Sequence, residues 1–382
     1  MTPPPEAEPS PLAVERATAE SRSLRNVGDL QKAITMAQIA KAAGVSQGAI
    51  SSLLNDRDYG IRVSEKTRER VFKVCREMGY IPNDLRAVVR MYPELGEFCL
   101  LIASTVSEGL NDPFVARLAH SAMASVREVS HPLTLATYEP DRDYSGSLDD
   151  LPYPLRSGVS SKFLFYGTPN PSLLQQIQRR GLPAVILGWD SHAPGVLSLS
   201  PDYVSASRIA VEHLLEHGHR TIGIVSGPFG TTASHVIELH QGIRAAFDGL
   251  KLPIEAQKIV YGDLSYRAGT VAFEEFWSQS VRPTAIFCLS DGAAAGVIAR
   301  AHAHGVQVPQ DLSVVGCGDD FCANIILPQL TTVHLPAEEM AAQGVREIDR
   351  MVREPLSGEA RRQLVPVTLT ERESTGPAPA AK

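Results

Sequence analysis

Short apolar runs alternate with amphipathic helical stretches through most of this chain. The runs have the length of buried strands, and they are Phe98–Ala103, Leu133–Thr137, Phe163–Tyr166, Ala184–Leu187, Thr221–Val225, Ile259–Tyr261, Ala285–Leu289 and Leu312–Val315. Helical patterns such as Ser205–His217 and Ala233–Gly249 lie between them. Apolar strands that alternate with helices are typical of parallel sheets with helices on both faces. The alternation predicts an α/β core with room for two sheets of about 135 residues each.

The segment before this core has the pattern of three short helices. Thr35 has a Gln three residues later, the spacing of a capping box, and Gly44 should end this first helix. Ser46 can cap a second helix, and a third should start at Ser64 and stop at Gly79. The apolar positions expected to pack them together are Met36, Ile39, Ala40, Ala43, Ile50, Leu53, Leu54, Val71, Val74, Cys75 and Met78. This pattern predicts a helix-turn-helix domain.

Charge is divided unevenly along the 382 residues. The whole chain carries a net charge of −7, but residues 31–90 hold 11 Lys and Arg against 6 Asp and Glu. That segment is therefore net +5, and the remainder is net −12. A basic module on an acidic body indicates that one domain meets phosphate. A solvated run of charge would give the same numbers, so the motifs have to decide.

The second helix has the side chains that reading DNA in the major groove requires. Gln47 can make a bidentate bond to adenine, and Ser51 can bond bases or phosphate. Ser46 and the amides at the helix N-terminus suit a phosphate. The alternative is a small solvated helix in an unrelated three-helix bundle.

A short basic connector, residues 80–92, follows the third helix. Arg86 and Arg90 are four residues apart, with Val88 and Val89 between them. A basic helix with an apolar tip can enter the minor groove and wedge a base step. A plain linker is the alternative reading.

Motifs for catalysis or metal binding are weak. Residues 227–232 are Gly-rich but lack the Lys-Ser/Thr ending of a phosphate loop, and no dinucleotide fingerprint follows the first strand of the core. Cys317 and Cys322 do not have a zinc spacing, and His213, His217 and His219 sit at a helix end where capping is expected. We expect a protein that is not an enzyme and has no cofactor or metal.

The chain ends and the cysteines bear on location. The first residues hold prolines and acids where a signal peptide needs a basic start and an apolar run, and no apolar stretch is long enough to span a membrane. Five scattered cysteines fit reduced thiols. These features predict a cytoplasmic protein with no membrane partner.

An ordered set of motifs resembles the LacI/GalR family of bacterial transcriptional regulators along residues 33–376. The motifs are ITMAQIAKAAGVSQGAISSLLN, VSEKTRERV, GYIPN, NDPF, AVEHLLEHGHRTIGIVSGP, PTAIFCLSD, VPQDLSVVG, LTTV and RESTG. The resemblance implies a homodimer on near-palindromic double-stranded operator DNA. It also implies a periplasmic-binding-protein-like core whose two lobes close on a small effector, with a repressor favoured over an activator.

The resemblance places Gln47 and Gly48 at the leading base-reading positions and Ser52 at a third. Arg57 and Arg62 lie in a lengthened loop as phosphate contacts, and Val89 stands where the family has a leucine wedge. The residues expected at the DNA are Thr35, Ser46, Gln47, Gly48, Ser51, Ser52, Asn55, Arg57, Arg62, Tyr80, Asn83, Arg86 and Val89.

The effector site is carried over in the same way. Its expected residues are Asp112, Phe114, Trp189 and Asp291. Ile237 stands where an arginine often holds sugar hydroxyls, and Gly318 replaces the first Asp of a Gly-Phe-Asp-Asp motif, so this pocket has fewer polar groups. An aromatic face opposite a carboxylate suits a polyol ring, which makes the expected effector carbohydrate-like. The alternatives are that Trp189 is a core or interface residue and that Asp291 only caps the helix beginning at Gly292.

These readings give the domain boundaries. We expect a disordered tail at 1–32, a headpiece at 33–80, a hinge at 81–94, a two-lobed effector-binding and dimerisation core at 95–376, and a second disordered tail at 377–382. Two rivals remain: a solute-binding protein for transport, which the headpiece opposes, and a nucleotide-dependent enzyme, which the missing phosphate loop opposes.

Overall fold

The chain divides into two compact units, one ending at Met91 and the other beginning at Tyr92. The computed structural model describes residues 34–55, 63–80, 89, 95–106, 109–230, 233–249, 258–356 and 358–380. The expected tail at 1–32 lies outside these described residues.

The first unit contains the three expected helices. They are α1 (Met36–Ala43), α2 (Gln47–Asn55) and α3 (Glu65–Met78). Thr35 and Gln38 form the capping box of α1, and Gly44 ends the helix with a φ of 63°, a left-handed conformation that favours glycine. Ser64 accepts from the Thr67 amide at the start of α3, and Gly79 ends that helix. Local sequence therefore determines the ends of these helices.

The small core of this unit differs from expectation at four positions, one of which is Leu53 of α2, which is only half-buried. Ile39, Ala40, Ala43, Ile50, Leu54, Val71 and Cys75 are buried as expected. Phe72 of α3 is also buried, so the buried face of this helix is centred closer to Phe72 than expected. Val74 and Met78 therefore lie at the edge of that face and are only half-buried. Met36 is 40% exposed, because the first residue of a helix has helical neighbours on one side only.

The second unit holds two six-stranded sheets, which confirms the α/β fold with parallel sheets. The strands are β1 (Glu97–Ala103), β2 (Leu133–Tyr138), β3 (Ser160–Tyr166), β4 (Ala184–Leu187), β5 (Leu197–Pro201), β6 (Ile222–Ser226), β7 (Lys258–Tyr261), β8 (Ala285–Cys288), β9 (Ser313–Gly318), β10 (Thr331–His334), β11 (Arg361–Val365) and β12 (Thr368–Thr370). Their orders are β11-β5-β4-β3-β1-β2 and β12-β10-β9-β8-β6-β7. All described pairings are parallel except β10 with β12.

Helices cover both faces of the two sheets. They are α4 (Pro113–Glu128), α5 (Tyr153–Ser157), α6 (Pro171–Arg179), α7 (Tyr203–Glu216), α8 (Ser234–Gly249), α9 (Tyr266–Trp277), α10 (Asp291–Ala303), α11 (Phe321–Ile325) and α12 (Ala337–Arg353). Two apolar clusters sandwich each sheet, one on each face. We call the body around the first sheet lobe 1 and the body around the second lobe 2.

The chain crosses between the lobes three times. The first crossing is at Asp202, between β5 and α7, and the second is at residues 335–336, between β10 and α12. The third is at residues 366–367, between β11 and β12. Because α12 packs on α4 and β4, it belongs to lobe 1 although it follows a strand of lobe 2.

The expectation of a disordered C-terminal tail is not met at residues 377–380. The Ala378 amide donates to the His217 carbonyl at 2.8 Å, and the Gly376 amide donates to Ser313. These two bonds, one to a backbone carbonyl and one to a side-chain hydroxyl, hold a segment whose Pro-Ala composition has little apolar surface to bury. Separately, none of the described helices combines the length and apolar character needed to span a membrane.

Candidate DNA-binding helix and inter-lobe site

The N-terminal end of α2 presents the expected base-reading side chains to solvent. The Ser46 hydroxyl accepts from the Ala49 amide at 3.1 Å and so caps the helix. Ser46, Gln47 and Gly48 are exposed, whereas Ile50 and Leu54 on the opposite face are buried. Ser51 and Ser52 are partly exposed. A rigid, capped helix with a short polar outer face has the geometry that major-groove reading needs.

The other residues expected at the DNA differ in how exposed they are. Thr35 is exposed at the start of α1, and Tyr80 is partly buried, with its pKa raised by that burial. Val89 is buried, at 6% exposure. The Asn55 side chain and residues Arg57, Arg62, Asn83 and Arg86 lie outside the described residues.

Five rings meet where the two lobes face each other. Phe114, Tyr166 and Trp189 come from lobe 1, Tyr203 is the first residue after the first crossing, and His235 comes from α8 of lobe 2. Centroid distances are 5.8 Å for Phe114–Tyr166, 4.9 Å for Tyr166–Trp189, 5.4 Å for Trp189–His235 and 5.7 Å for Tyr203–His235. We call these five residues the aromatic seam.

Three of the four expected effector residues lie in or beside this seam. Asp112 caps α4 by accepting from the Phe114 and Val115 amides at 2.9 and 3.1 Å. Phe114 and Trp189 both pack on Tyr166, at the end of β3. Sequence reasoning missed Tyr166, Tyr203 and His235, although the position of Tyr166 at a strand end could have indicated it.

Asp291 lies deeper than expected. It is fully buried, and its carboxylate accepts from the Thr332 hydroxyl at 2.5 Å and from the Asp320 amide at 2.7 Å. A Cβ at Gly316 would lie 2.2 Å from its Oδ1, so a glycine is needed there. Burial raises the pKa of Asp291 to about 6. The capping alternative is wrong, because Ser290 caps this helix and Asp291 is its first residue.

Arg117 ties lobe 1 to the end of β9. From α4 it donates to the carbonyls of Gly318 and Leu335, at 2.6 and 2.7 Å, and to Asp320 at 3.4 Å. Glu338 of lobe 1 holds the same guanidinium with two bonds of 2.8 and 2.9 Å. Burial and the neighbouring Asp291 raise the pKa of Asp320 to about 7, and the charge of Arg117 opposes this rise.

Arg362 forms a second link between the lobes. From β11 it donates to both carboxylate oxygens of Glu238 on α8, at 2.7 and 2.8 Å. Its Nε lies 2.8 Å from Asp190, which follows Trp189 in lobe 1. Each link therefore consists of a lobe 1 arginine held by a lobe 1 carboxylate and reaching a partner in lobe 2. We call these two arginines with their partners the inter-lobe clamps.

Among the described residues, one group of side chains has the spacing of metal ligands. His334, Glu338 and Glu339 place one ligand atom each within 4.8 Å of one another. Glu338 is already bound by Arg117, however, and the Nδ1 of His334 lies 3.1 Å from Asp319. Asp319 is in turn held by Arg372 at 2.6 Å. These contacts fit a hydrogen-bonded network at the second crossing better than a metal site.

Comparison with known proteins decides the family. Residues 35–83 match the model of bacterial regulatory proteins of the lacI family, and residues 211–375 match that of the periplasmic binding protein-like domain. The chain therefore carries a lacI-family helix-turn-helix domain and a periplasmic-binding-protein-like domain. The first match covers all three helices of the first unit, and the second covers most of lobe 2.

Curated relatives extend along nearly the whole regulator. The ribose operon repressor of Escherichia coli (strain K12) is 27% identical over 341 residues, which are 89% of this chain and 99% of the relative. The HTH-type transcriptional regulator CelR of Thermobifida fusca is 29% identical over 328 residues, covering 85% and 92%. These relatives are transcriptional regulators, and together with the lacI-family match they identify this chain as a DNA-binding transcriptional regulator.

Solved structures share the fold. The complex of the transcriptional regulator CelR with cellobiose is 26% identical, with a TM-score of 0.61, and covers 89% of this chain and 99% of that one. The lac repressor dimer bound to operator is 22% identical, with a TM-score of 0.62, covering 90% and 100%. The second likeness concerns the fold alone.

Proposed function

We propose that this regulator is a homodimeric repressor whose operator affinity is changed by a small effector bound between its lobes. The observation that carries the proposal is the exposed polar end of α2, inside a matched lacI-family segment, on a chain whose second unit has two facing lobes. No catalytic role is proposed, because its relatives are transcriptional regulators. Because it acts on operator DNA, we propose that it works in the cytoplasm.

The operator contacts follow from position on the headpiece. Gln47 reads a base from the first turn of α2, with Ser51 and Ser52 beside it, and Ser46 binds a phosphate at the capped helix end. Thr35, at the start of α1, and Tyr80, after the end of α3, are proposed as further contacts. Arg57, Arg62, Asn83 and Arg86 complete the set carried over from the family pattern, whereas the buried Val89 would have to become exposed before it could wedge a base step.

Gln47→Ala tests the operator contact. It should weaken specific binding by roughly 1–3 kcal/mol and relax base preference at one operator position. The matched control is Arg62→Ala, which should weaken binding to all DNA sequences alike. It should also reduce the slope of log affinity against log salt concentration by about one. Titration of labelled DNA from upstream of the gene, beside random DNA, measures both effects. Equal losses on both DNAs for Gln47→Ala would overturn the assignment.

The effector is proposed to lie against the aromatic seam. Phe114 and Trp189 offer apolar faces on the lobe 1 side, and burial raises the pKa of Tyr166 with help from the charges of Asp112 and Asp320. Asp291 takes part through Asp320, whose amide it holds. Ribose and cellobiose are bound in two solved LacI-family structures, so a sugar or related metabolite is the class proposed.

The proposed coupling runs through lobe closure. An effector that prefers one lobe arrangement shifts the population toward it, and the inter-lobe clamps are contacts that differ between arrangements. The shift at the core then changes the spacing of two headpieces on a near-palindromic operator. Light scattering that gave a single chain mass for the core would contradict the dimer.

A further inference from the structure

We propose that His235 is an effector-recognising residue and that it selects a neutral, hydroxyl-bearing ligand over an anionic one. The inference rests on the proposed function, since it requires an effector between the lobes. It adds a residue and a ligand class to that site.

His235 lies on lobe 2, and its ring also contacts lobe 1. It is the second residue of α8, and its ring packs edge-on against Trp189 of lobe 1 at 5.4 Å. Tyr203, at the first crossing, lies 5.7 Å away on another side. A ligand that contacts Trp189 from between the lobes therefore meets the His235 ring.

The ring has an unsatisfied polar atom. Its Nδ1 is buried, and no described residue donates to it or accepts from it. Buried polar atoms in proteins are almost always hydrogen-bonded, because leaving one unpaired forfeits its bonds to water. By contrast, His240 on the same helix bonds Ser226 at 2.7 Å. The missing partner of His235 is what a ligand at the seam would supply.

A hydroxyl group fits this atom in either tautomer. Burial lowers the pKa of His235 to about 4, so the imidazole is neutral near pH 7. In a neutral imidazole one nitrogen donates and the other accepts. A hydroxyl both donates and accepts, so it satisfies Nδ1 whichever role the nitrogen has.

The charges around the ring disfavour an anion. A neutral imidazole offers no positive charge, and the two described arginines that join the lobes are already held by carboxylates. Arg362 is hydrogen-bonded to Glu238 and forms an ion pair with Asp190, and Arg117 is hydrogen-bonded to Glu338. An anionic ligand would have to displace one of these carboxylates and then lie beside it. A neutral polyol avoids that cost.

Thermal shift of the full chain with matched ligands tests the proposal. The probes are ribose and cellobiose, each beside its aldonic acid, with wild type, His235→Phe, His240→Phe and Trp189→Phe. We expect a neutral sugar to raise the wild-type Tm and its acid to bind at least tenfold more weakly. We expect His235→Phe to bind that sugar at least tenfold more weakly, while His240→Phe binds it like wild type.

The ligand-free proteins give a second readout. His235→Phe keeps the ring contacts and removes the unpaired nitrogen, so its Tm should equal or exceed that of wild type. His240→Phe breaks the bond to Ser226, so its Tm should fall. A fall for His235→Phe as large as for His240→Phe would show a structural role and overturn the proposal.

The remaining outcomes separate this inference from the function on which it rests. A sugar that binds His235→Phe as well as wild type, but Trp189→Phe weakly, overturns the role of His235 and leaves the seam as the effector site. A sugar that binds both variants as well as wild type places the effector elsewhere. Binding of the aldonic acids alone, or of none of the four probes, overturns the ligand class.

Discussion

At the scale of single residues, two aspartates beside the seam have unusually high pKa values. Asp291 and Asp320 share a buried environment in which an amide, a hydroxyl and one arginine are their described partners. Asp112 and Asp319 add further negative charge. Their raised pKa values, about 6 and about 7, make them protonate in the folded chain well above the usual carboxyl range.

These shifts predict how stability depends on pH. A carboxyl whose pKa is raised on folding favours the folded state below its unfolded pKa, and that contribution is lost as pH rises through the folded value. Asp320→Asn removes the ionisation. As pH rises from 4 to 8, the free energy of unfolding of the variant should therefore increase by about 1–3 kcal/mol relative to that of wild type.

Denaturant unfolding of both proteins at the two pH values measures this gain, with Asp141→Asn at an exposed carboxylate as the control. A difference between Asp320→Asn and wild type that stays constant across this range would refute the assigned burial of the charge.

At the scale of elements, two glycines let helices of lobe 2 pack closely. A Cβ at Gly242 of α8 would lie 2.0 Å from the Val204 carbonyl oxygen of α7. A Cβ at Gly269 of α9 would lie 1.9 Å from the Ala293 carbonyl oxygen of α10. Both distances are shorter than real contacts, so either helix pair must separate if alanine is introduced.

Gly242→Ala tests this packing. Overpacking costs typically 1–3 kcal/mol, which should exceed the gain of up to about 1 kcal/mol that alanine brings to a helix. Gly249→Ala is the matched control, because it lies on the same helix with nothing within 4 Å of its Cβ position. Gly249→Ala should be neutral or stabilising in denaturant melts. Equal effects of the two variants would mean that α7 and α8 do not pack this closely.

The sequence predicts elements well where apolar pattern and burial coincide. Eight apolar runs became strands, but β5, β10, β11 and β12 were not foreseen. Leu197–Pro201 alternates leucine with serine although all its residues are buried, and Arg361–Val365 is mostly exposed at a sheet edge. Neither has the continuous apolar run by which the others were recognised.

The seam was only partly predictable for a related reason. Trp189 and Phe114 follow from family pattern and strand ends, but a buried bond such as Asp291 to the Asp320 amide joins residues 29 apart in sequence. His235 carries no local signal, since only tertiary contacts with Trp189 and Tyr203 distinguish it from the other histidines.

At the scale of the whole molecule, the inter-lobe clamps hold the two lobes together. The pair Arg362–Glu238 joins residues 124 apart on different lobes. A double-mutant cycle of Arg362→Ala and Glu238→Gln should give a coupling of about 1 kcal/mol. The exposed Arg350–Glu347 pair, within one helix, is the control and should give no more than about 0.5 kcal/mol. A zero coupling for the clamp would show that it does not restrain the lobes.

Coupling between ligand binding at the lobes and operator affinity can be measured in one titration. A sugar that raises the Tm of the full chain, held at about 100 times its dissociation constant, adds roughly 2.7 kcal/mol of apparent stability. Fluorescence anisotropy then measures the Kd for upstream DNA with and without that sugar. We expect the operator Kd of wild type to change at least tenfold and that of Trp189→Phe to stay unchanged at the same sugar concentration. A wild-type operator Kd that is the same at saturating sugar and without it would mean that ligand binding between the lobes is not coupled to operator binding.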